Sequence, residues 1–221
     1  MTDHTADVEW RDGVPVSTRF QDPYYSLDDG VAETTHVFLQ GNGLPGRIGP
    51  GFHVAELGFG TGLNLLVTLA AMRAVGSSGP LRYTSFEAYP LSSDEMAQAL
   101  AAFPSLAEDA AWLVAAWAEG PVFTRDDVAV EVILGDARDT LPAWDGVADA
   151  WYLDGFAPAR NPGLWSADLM AEVARHTAPG GTAATYSAAG DVRRGLEAAG
   201  FTVERVPGFG RKRHMTVARL G

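Results

Sequence analysis

No cysteine occurs anywhere in the 221 residues, which excludes disulfides, thiolate zinc sites, iron–sulfur clusters and a cysteine nucleophile. The five histidines are scattered, so no metal centre is expected from them either. Lysine occurs once, at Lys212, and 16 basic side chains face 28 acidic ones. A net charge of −12 argues against a nucleic-acid partner. No apolar run reaches the roughly 18 residues of a membrane span. The polar, acidic stretch Met1–Asp12 does not read as a signal peptide. These absences lead to the expectation of a soluble, cytoplasmic protein without a membrane partner. What is present, 47% apolar and 20% charged residues, suits one globular domain with a real core.

From Phe52 onward, strand-like and helix-like runs alternate. Phe52–Leu57 is a short apolar run and Thr61–Val75 an apolar helix. Arg82–Glu87 reads as a strand, and Ser92 with Glu95 has the spacing of a helix capping box. Ser105–Ala118 is helical, while Val128–Leu134 and Ala148–Leu153 are strands ending at Gly135-Asp136 and Asp154-Gly155. An amphipathic helix over Ser166–His176, a strand over Thr182–Tyr186 and a helix over Asp191–Ala199 follow. Phe201–Val206 and Met215–Leu220 close the chain as a helix-free, antiparallel pair. The alternation predicts an α/β fold with a mainly parallel sheet covered on both faces. Residues 1–50 read as an N-terminal extension on a main domain of residues 51–221. That extension reads as irregular to about Ala32, with one helix near Ala32–Leu39.

Ligands of open α/β sheets sit beyond the carboxyl ends of the strands, and the informative residues lie there. Glu56-Leu57-Gly58-Phe59-Gly60-Thr61-Gly62 joins the first of these strands to a helix. Its glycines, at Gly58, Gly60 and Gly62, allow positive φ and let a ligand lie against bare backbone. The spacing differs from the dinucleotide fingerprint, and a leading glutamate suits a sulfonium cation better than a pyrophosphate. A plain strand–helix turn is the alternative. Glu87, at the next strand end, is placed to accept from both hydroxyls of a ribose. Asp136, at the third, is placed to bind the amine of an adenine. Each acid alone also reads as a cap or as solvated surface. The three strand ends together resemble class I S-adenosylmethionine-dependent methyltransferases, which implies a Rossmann-like, seven-stranded, mostly parallel sheet with an antiparallel last strand.

The fourth strand end carries Asp154-Gly155-Phe156-Ala157-Pro158-Ala159-Arg160-Asn161-Pro162, a stiff loop with a carboxylate and an aromatic ring. An alkyl amine, with a pKa near 10.4, is largely protonated at neutral pH. A carboxylate such as Asp154 orients it and takes its proton, and Phe156 can stack on a planar base. A helix-capping aspartate in a proline turn is the alternative. This loop resembles the signature of the methyltransferase half of the bifunctional tRNA-modifying MnmC proteins and their stand-alone form, MnmD. The likeness extends through Phe20–Ser26, His36–Leu44, Glu56–Asn64, Ala184–Ser187, Val192–Leu196 and Gly208–Met215.

The resemblance implies N-methylation of the aminomethyl group of 5-aminomethyl-2-thiouridine at the tRNA wobble position. S-adenosyl-L-methionine would be the donor, held by Asn42, Glu56, Gly58, Gly60, Gly62, Glu87 and Asp136, with Asp154 at the reacting amine. Bifunctional members carry a flavin-dependent domain for which 221 residues leave no space. No FAD is therefore expected, and a separate enzyme is expected to supply the primary amine. Arg160 stands where the family suggests lysine, and His214 where it suggests an acid.

The charge is uneven. Residues 193–221 carry seven basic side chains and two acids, +5, which leaves −17 on the rest. Arg193, Arg194, Arg211, Lys212 and Arg213 are the candidate phosphate contacts, with Arg160 beside the acceptor loop. Tyr25, Phe156 and Phe209 are the candidate stacking platforms, and Tyr24 and Trp165 are further ones. Core packing is the alternative for each aromatic, and the favoured reading for Trp165; a solvated face is the alternative for the cluster. A small-molecule amine as acceptor, and a non-catalytic nucleoside-binding protein, remain the competing functions.

Overall fold

In the computed structural model, which describes residues 5–26, 29–77 and 79–221, the chain opens with a small antiparallel sheet. Its strands are β1 (Val8–Arg11), β2 (Val14–Ser17) and β3 (Asp22–Pro23). Strands of two to four residues are too short to show alternation, which is why the segment reads as irregular. Asp12 and Gly13, both at positive φ, make the tight turn between β1 and β2. The helix expected near Ala32–Leu39 is α1 (Gly30–Thr34), capped by Asp29. It widens into a π turn over Thr35–Leu39 and tightens into a 3-10 turn over Gln40–Asn42. Val37, Phe38 and Leu39 are buried along it.

The main sheet then follows. In chain order its elements are β4 (His53–Leu57), α2 (Leu63–Ala74), β5 (Leu81–Glu87), α3 (Ser93–Leu100), α4 (Ala107–Glu119), β6 (Val122–Arg125) and β7 (Val128–Leu134). After them come α5 (Ala137–Thr140), β8 (Ala148–Leu153), α6 (Ala167–Arg175), β9 (Thr177–Thr185), α7 (Gly190–Ala198), β10 (Phe201–Pro207) and β11 (His214–Leu220). The strands run in the order β10-β11-β9-β8-β4-β5-β7-β6. β4 pairs in parallel with β5 and β8, and the sheet extends in parallel to β7 and β9. β11 is antiparallel to both neighbours, so the expected closing pair is present. The eighth strand, β6, was not expected. It is a four-residue hairpin partner of β7 at the sheet edge, with Val122 exposed.

Alternate residues of the central strands supply two cores. Val54, Tyr83 and Tyr152 face α2, α3 and α4, whereas Ala55, Phe86 and Trp151 face α5, α6 and α7. α2 is apolar nearly all round because sheet, α4 and the N-terminal segment enclose it. α3 carries the expected Ser92–Glu95 capping box. Among the described residues, no helix is long and apolar enough to cross a membrane. The chain turns from β4 to β5 on one side and from β8 to β9 on the other. The crevice that this reversal opens lies over the ends of β8, β4, β5 and β7.

Candidate functional site

At the end of β4 the backbone turns through Gly58 at φ +90 and Gly60 at φ +53. A Cβ on Gly58 would stand 2.9 Å from the carbonyl oxygen of Asp154, so only glycine fits between the ends of β4 and β8. Glu87, ending β5, reaches back to this loop. One of its oxygens accepts from the Gly60 amide at 3.0 Å and the other from the Tyr89 amide at 2.8 Å. Burial nevertheless pushes its carboxyl above the usual range. Asp136, after β7, caps α5 by accepting from the Arg138 amide, and its other oxygen accepts from the Arg138 guanidinium at 2.6 Å. That pairing holds its pKa below the ordinary value. Together these strand ends line one wall of a cavity of about 720 Å³.

Asp154 ends β8 in the same cavity. The Asn64 amide donates to its Oδ2 at 2.7 Å, and the Gly155 amide to its Oδ1 at 2.9 Å. Burial outweighs these donors and pushes the carboxyl up to about 6. Asn64 is the hinge of the arrangement. Its nitrogen also donates to Glu56 at 2.8 Å, and its oxygen accepts from the Thr34 hydroxyl at 2.8 Å. Two carboxyl oxygens, one each from Asp154 and Glu56, accept from the same nitrogen, which fixes the side-chain amide in this orientation. Glu56 accepts a second bond from the Ser85 hydroxyl at 2.9 Å, and burial pushes it up to about 8. Asn64 was not singled out in the sequence. A lone asparagine in the first turn of an otherwise apolar helix was the available signal.

The opposite wall comes from the N-terminal sheet and the C-terminal hairpin. The Ala157 amide donates to Asp22 at 2.8 Å, tying β3 to the Asp154 loop. Phe20 stacks on Phe156 with ring centres 4.8 Å apart, and Tyr24 meets the same ring edge-on. Tyr25 lines the cavity and donates to the carbonyl of Ala99 at 3.1 Å. Tyr186 donates to the carbonyl of Gly155 at 2.6 Å. Lys212 reaches over its ring, 3.9 Å from the centre, to donate to Glu33 at 2.8 Å.

Of the expected residues, the cavity brings together Gly58, Gly60, Glu87, Asp136, Asp154, Tyr25, Phe156, Phe209, Arg211 and Lys212. The other expected residues lie outside the cavity lining. Asn42 is 1% exposed and faces away from the cavity. Its amide donates to the carbonyls of Phe38 and Trp151, and its oxygen accepts from Thr182. Glu56 lies beneath the loop and acts through Asn64, not on the cavity wall. Gly62 caps α2 at φ +75 and makes room for Leu113. Arg160 reaches outward to the carbonyl of Phe20, and Arg194 pairs with Asp191 on its own helix. Arg193, with a buried and unpartnered Nε, and the exposed Arg213 are also outside the lining. Trp165 is buried and donates to the carbonyl of Phe156, in line with the core packing favoured for it. Among the described residues no group of three or more histidine, aspartate or glutamate side chains is arranged to hold a metal ion.

The chain is 46% identical to the tRNA 5-methylaminomethyl-2-thiouridine biosynthesis bifunctional protein MnmC of Pseudoalteromonas atlantica. That alignment covers 97% of this chain and 33% of the relative. The protein of the same name from Caulobacter vibrioides is 48% identical over 92% of this chain and 36% of its own length. The chain thus spans about a third of the length of these curated relatives. The crystal structure of MNMC2 from Aquifex aeolicus superposes with a TM-score of 0.81, at 24% identity, covering 99% of this chain and 72% of that one. It shares the fold. The sequence model of a family described as S-adenosyl-L-methionine-dependent methyltransferase matches residues 107–221, more than half of the chain. On that match, with the eight-stranded sheet and the strand-end cavity beside it, the chain belongs to this family of S-adenosyl-L-methionine-dependent methyltransferases.

Proposed function

We propose that the chain methylates the primary amine of 5-aminomethyl-2-thiouridine at the wobble position of tRNA, giving 5-methylaminomethyl-2-thiouridine. The observation that carries this reading is Asp154, a buried carboxylate fixed by Asn64 and the Gly155 amide where glycine loop and aromatic wall meet. The name carried by the curated relatives supplies the acceptor. The bare backbone of Gly58 and Gly60, with the carboxylates of Glu87 and Asp136, fits S-adenosyl-L-methionine in chemistry and in cavity size. When bound, that donor supplies an electrophilic methyl group on a sulfonium. Asp154, with its carboxyl near 6, is ionised at neutral pH and accepts a hydrogen bond from the acceptor's ammonium. The ammonium proton passes to this carboxylate or to water, leaving a nitrogen lone pair held in place. Phe156 offers a ring for the base, and Arg211 at the rim offers charge for phosphates. A methyltransferase site does not make a primary amine, so another activity supplies it.

The test is nucleoside mass spectrometry on tRNA from a strain lacking the modification, incubated with this chain and the methyl donor. The expected product is the monomethylated nucleoside, and its absence overturns the reading. Asp154→Ala is expected to abolish transfer while donor binding by calorimetry stays within about threefold. A small-molecule amine is the second reading, favoured by the pairing of Lys212 with Glu33 and Arg194 with Asp191. Both pairs reduce the charge free to meet phosphates.

A further inference from the structure

Lys212 is the chain's one lysine, and its ammonium is seated in the proposed acceptor side of the cavity. It donates to Glu33 at 2.8 Å and lies 3.9 Å from the centre of the Tyr186 ring. The pair is sheltered on its carboxylate side, while the lysine side chain is 44% exposed. The Glu33 side chain is only 15% exposed, and the lysine reaches inward from the loop between β10 and β11 to meet it. The Tyr186 ring is held in place through its hydroxyl, which donates to the carbonyl of Gly155. Glu33 and Lys212 both act electrostatically on Asp154, in opposite senses, so all three groups share one small region. An aromatic face beside a carboxylate is a receptor for a compact alkylammonium. Lys212 shows that such a group fits, because its Nζ on a methylene arm has the shape of an aminomethyl cation.

We propose that Glu33 and the ring of Tyr186 recognise the ammonium of the acceptor, and that Lys212 is a resident occupant which the acceptor displaces. The inference rests on the amine-acceptor reading and assigns that amine its specificity-determining contacts. Displacement frees the lysine at the cavity rim next to Arg211, where it adds a cation toward an anionic substrate. The acidic cavity wall and the basic rim then belong to one device: the same lysine closes the seat when it is empty and faces the substrate when it is filled.

A single lysine gives a single reporter. Lysine labelled with 13C at Cε should give one resonance, shifted from its free position by the Tyr186 ring. Adding propylammonium chloride should return it toward the free position, while equal concentrations of sodium chloride should not. A resonance that starts at the free position overturns the proposal, and so does an equal response to both salts. In Lys212→Met, binding of propylammonium, read from the ring-induced shifts of its own protons, should tighten by about tenfold. In Glu33→Gln it should weaken by a similar factor. Effects of the same sign in both variants indicate general loosening and also overturn it. Methylated tRNA together with an unresponsive lysine removes this inference and leaves the proposed function standing. A displaced lysine without methylated tRNA does the reverse.

Discussion

The two walls of the cavity are built in different ways. The proposed donor wall comes from consecutive strand ends, Gly58–Gly60, Glu87 and Asp136, held side by side by the parallel ladder. The proposed acceptor wall is assembled from segments far apart in the chain. Ala157 donates to Asp22 across 135 residues, and Lys212 to Glu33 across 179. One wall follows from sheet topology, so strand-end positions predict it. The other follows from packing of the N-terminal sheet and the last hairpin, and local spacing carries little of it.

The walls meet at Gly58, and the largest effect is expected there. Gly58→Ala brings a side chain to φ +90 and a Cβ to 2.9 Å from the Asp154 carbonyl oxygen. Strain and displacement together should lower the free energy of unfolding by about 2–4 kcal/mol and donor affinity by about a hundredfold. Gly60→Ala, at φ +53 and facing only the Tyr24 ring at 3.3 Å, should cost about 1 kcal/mol. Urea unfolding and calorimetry on both variants check this. Equal losses would show that the junction of the walls is not at Gly58.

The next effect concerns the carboxylate beneath both walls. Glu56 is raised by burial from 4.5 to about 8, so the folded protein keeps a proton that the unfolded chain releases. Its contribution is complete below pH 4.5 and is lost as pH rises toward 8. Asp154 acts in the same sense, but only up to about 6. His53, lowered by burial from 6.5 to about 4, acts in the opposite sense and only below 6.5. Between pH 6.5 and 8 the slope therefore belongs to Glu56, with any part from Glu87, whose carboxyl burial also raises, in the same sense. Unfolding free energy should fall by up to about 2 kcal/mol across that window. Glu56→Gln should flatten the slope, and an undiminished slope in that variant rules out Glu56 as its source.

The same contrast explains what was legible in the sequence. Val128–Leu134 and Ala148–Leu153 match β7 and β8 residue for residue: β7 alternates buried and exposed residues, and β8 is a short, nearly all-buried apolar run bounded by turn residues. Glu87 and Asp136 reach the cavity because a strand end fixes where its next residue points. Asn42 lies outside the cavity lining, since a family motif locates a segment without saying which way its side chain faces. Here that side chain turns inward to bond with Trp151 and Thr182. Glu56 lies beneath the loop, where the alternation of β4 directs it and Asn64 carries its influence to Asp154. The contacts of Lys212 with Glu33 and Tyr186 were not legible from spacing. They are set by how the terminal segments fold back.

A smaller effect is expected on the acceptor wall alone. Phe20→Ala removes the ring stacked on Phe156. Aromatic pairs of this kind are worth about 0.5–1.5 kcal/mol beyond their area. The acceptor KM should rise by about five- to tenfold, with donor affinity within about twofold. A comparable loss of donor affinity would mean that the two walls are energetically one.

The smallest effect belongs to Arg138, whose side chain is 59% exposed and whose guanidinium pairs with Asp136. An exposed pair of this kind contributes at most about 1 kcal/mol, so Arg138→Ala should scarcely alter unfolding. Its value lies in the sign of the change in donor affinity. If Asp136 accepts from the donor's amine, Arg138 competes for the same oxygens, and its removal should leave affinity unchanged or raise it by about threefold. A fall of more than about threefold would make Arg138 a donor contact itself, with Asp136 only its anchor. The donor wall would then depend, like the acceptor wall, on a side chain that strand-end spacing does not select.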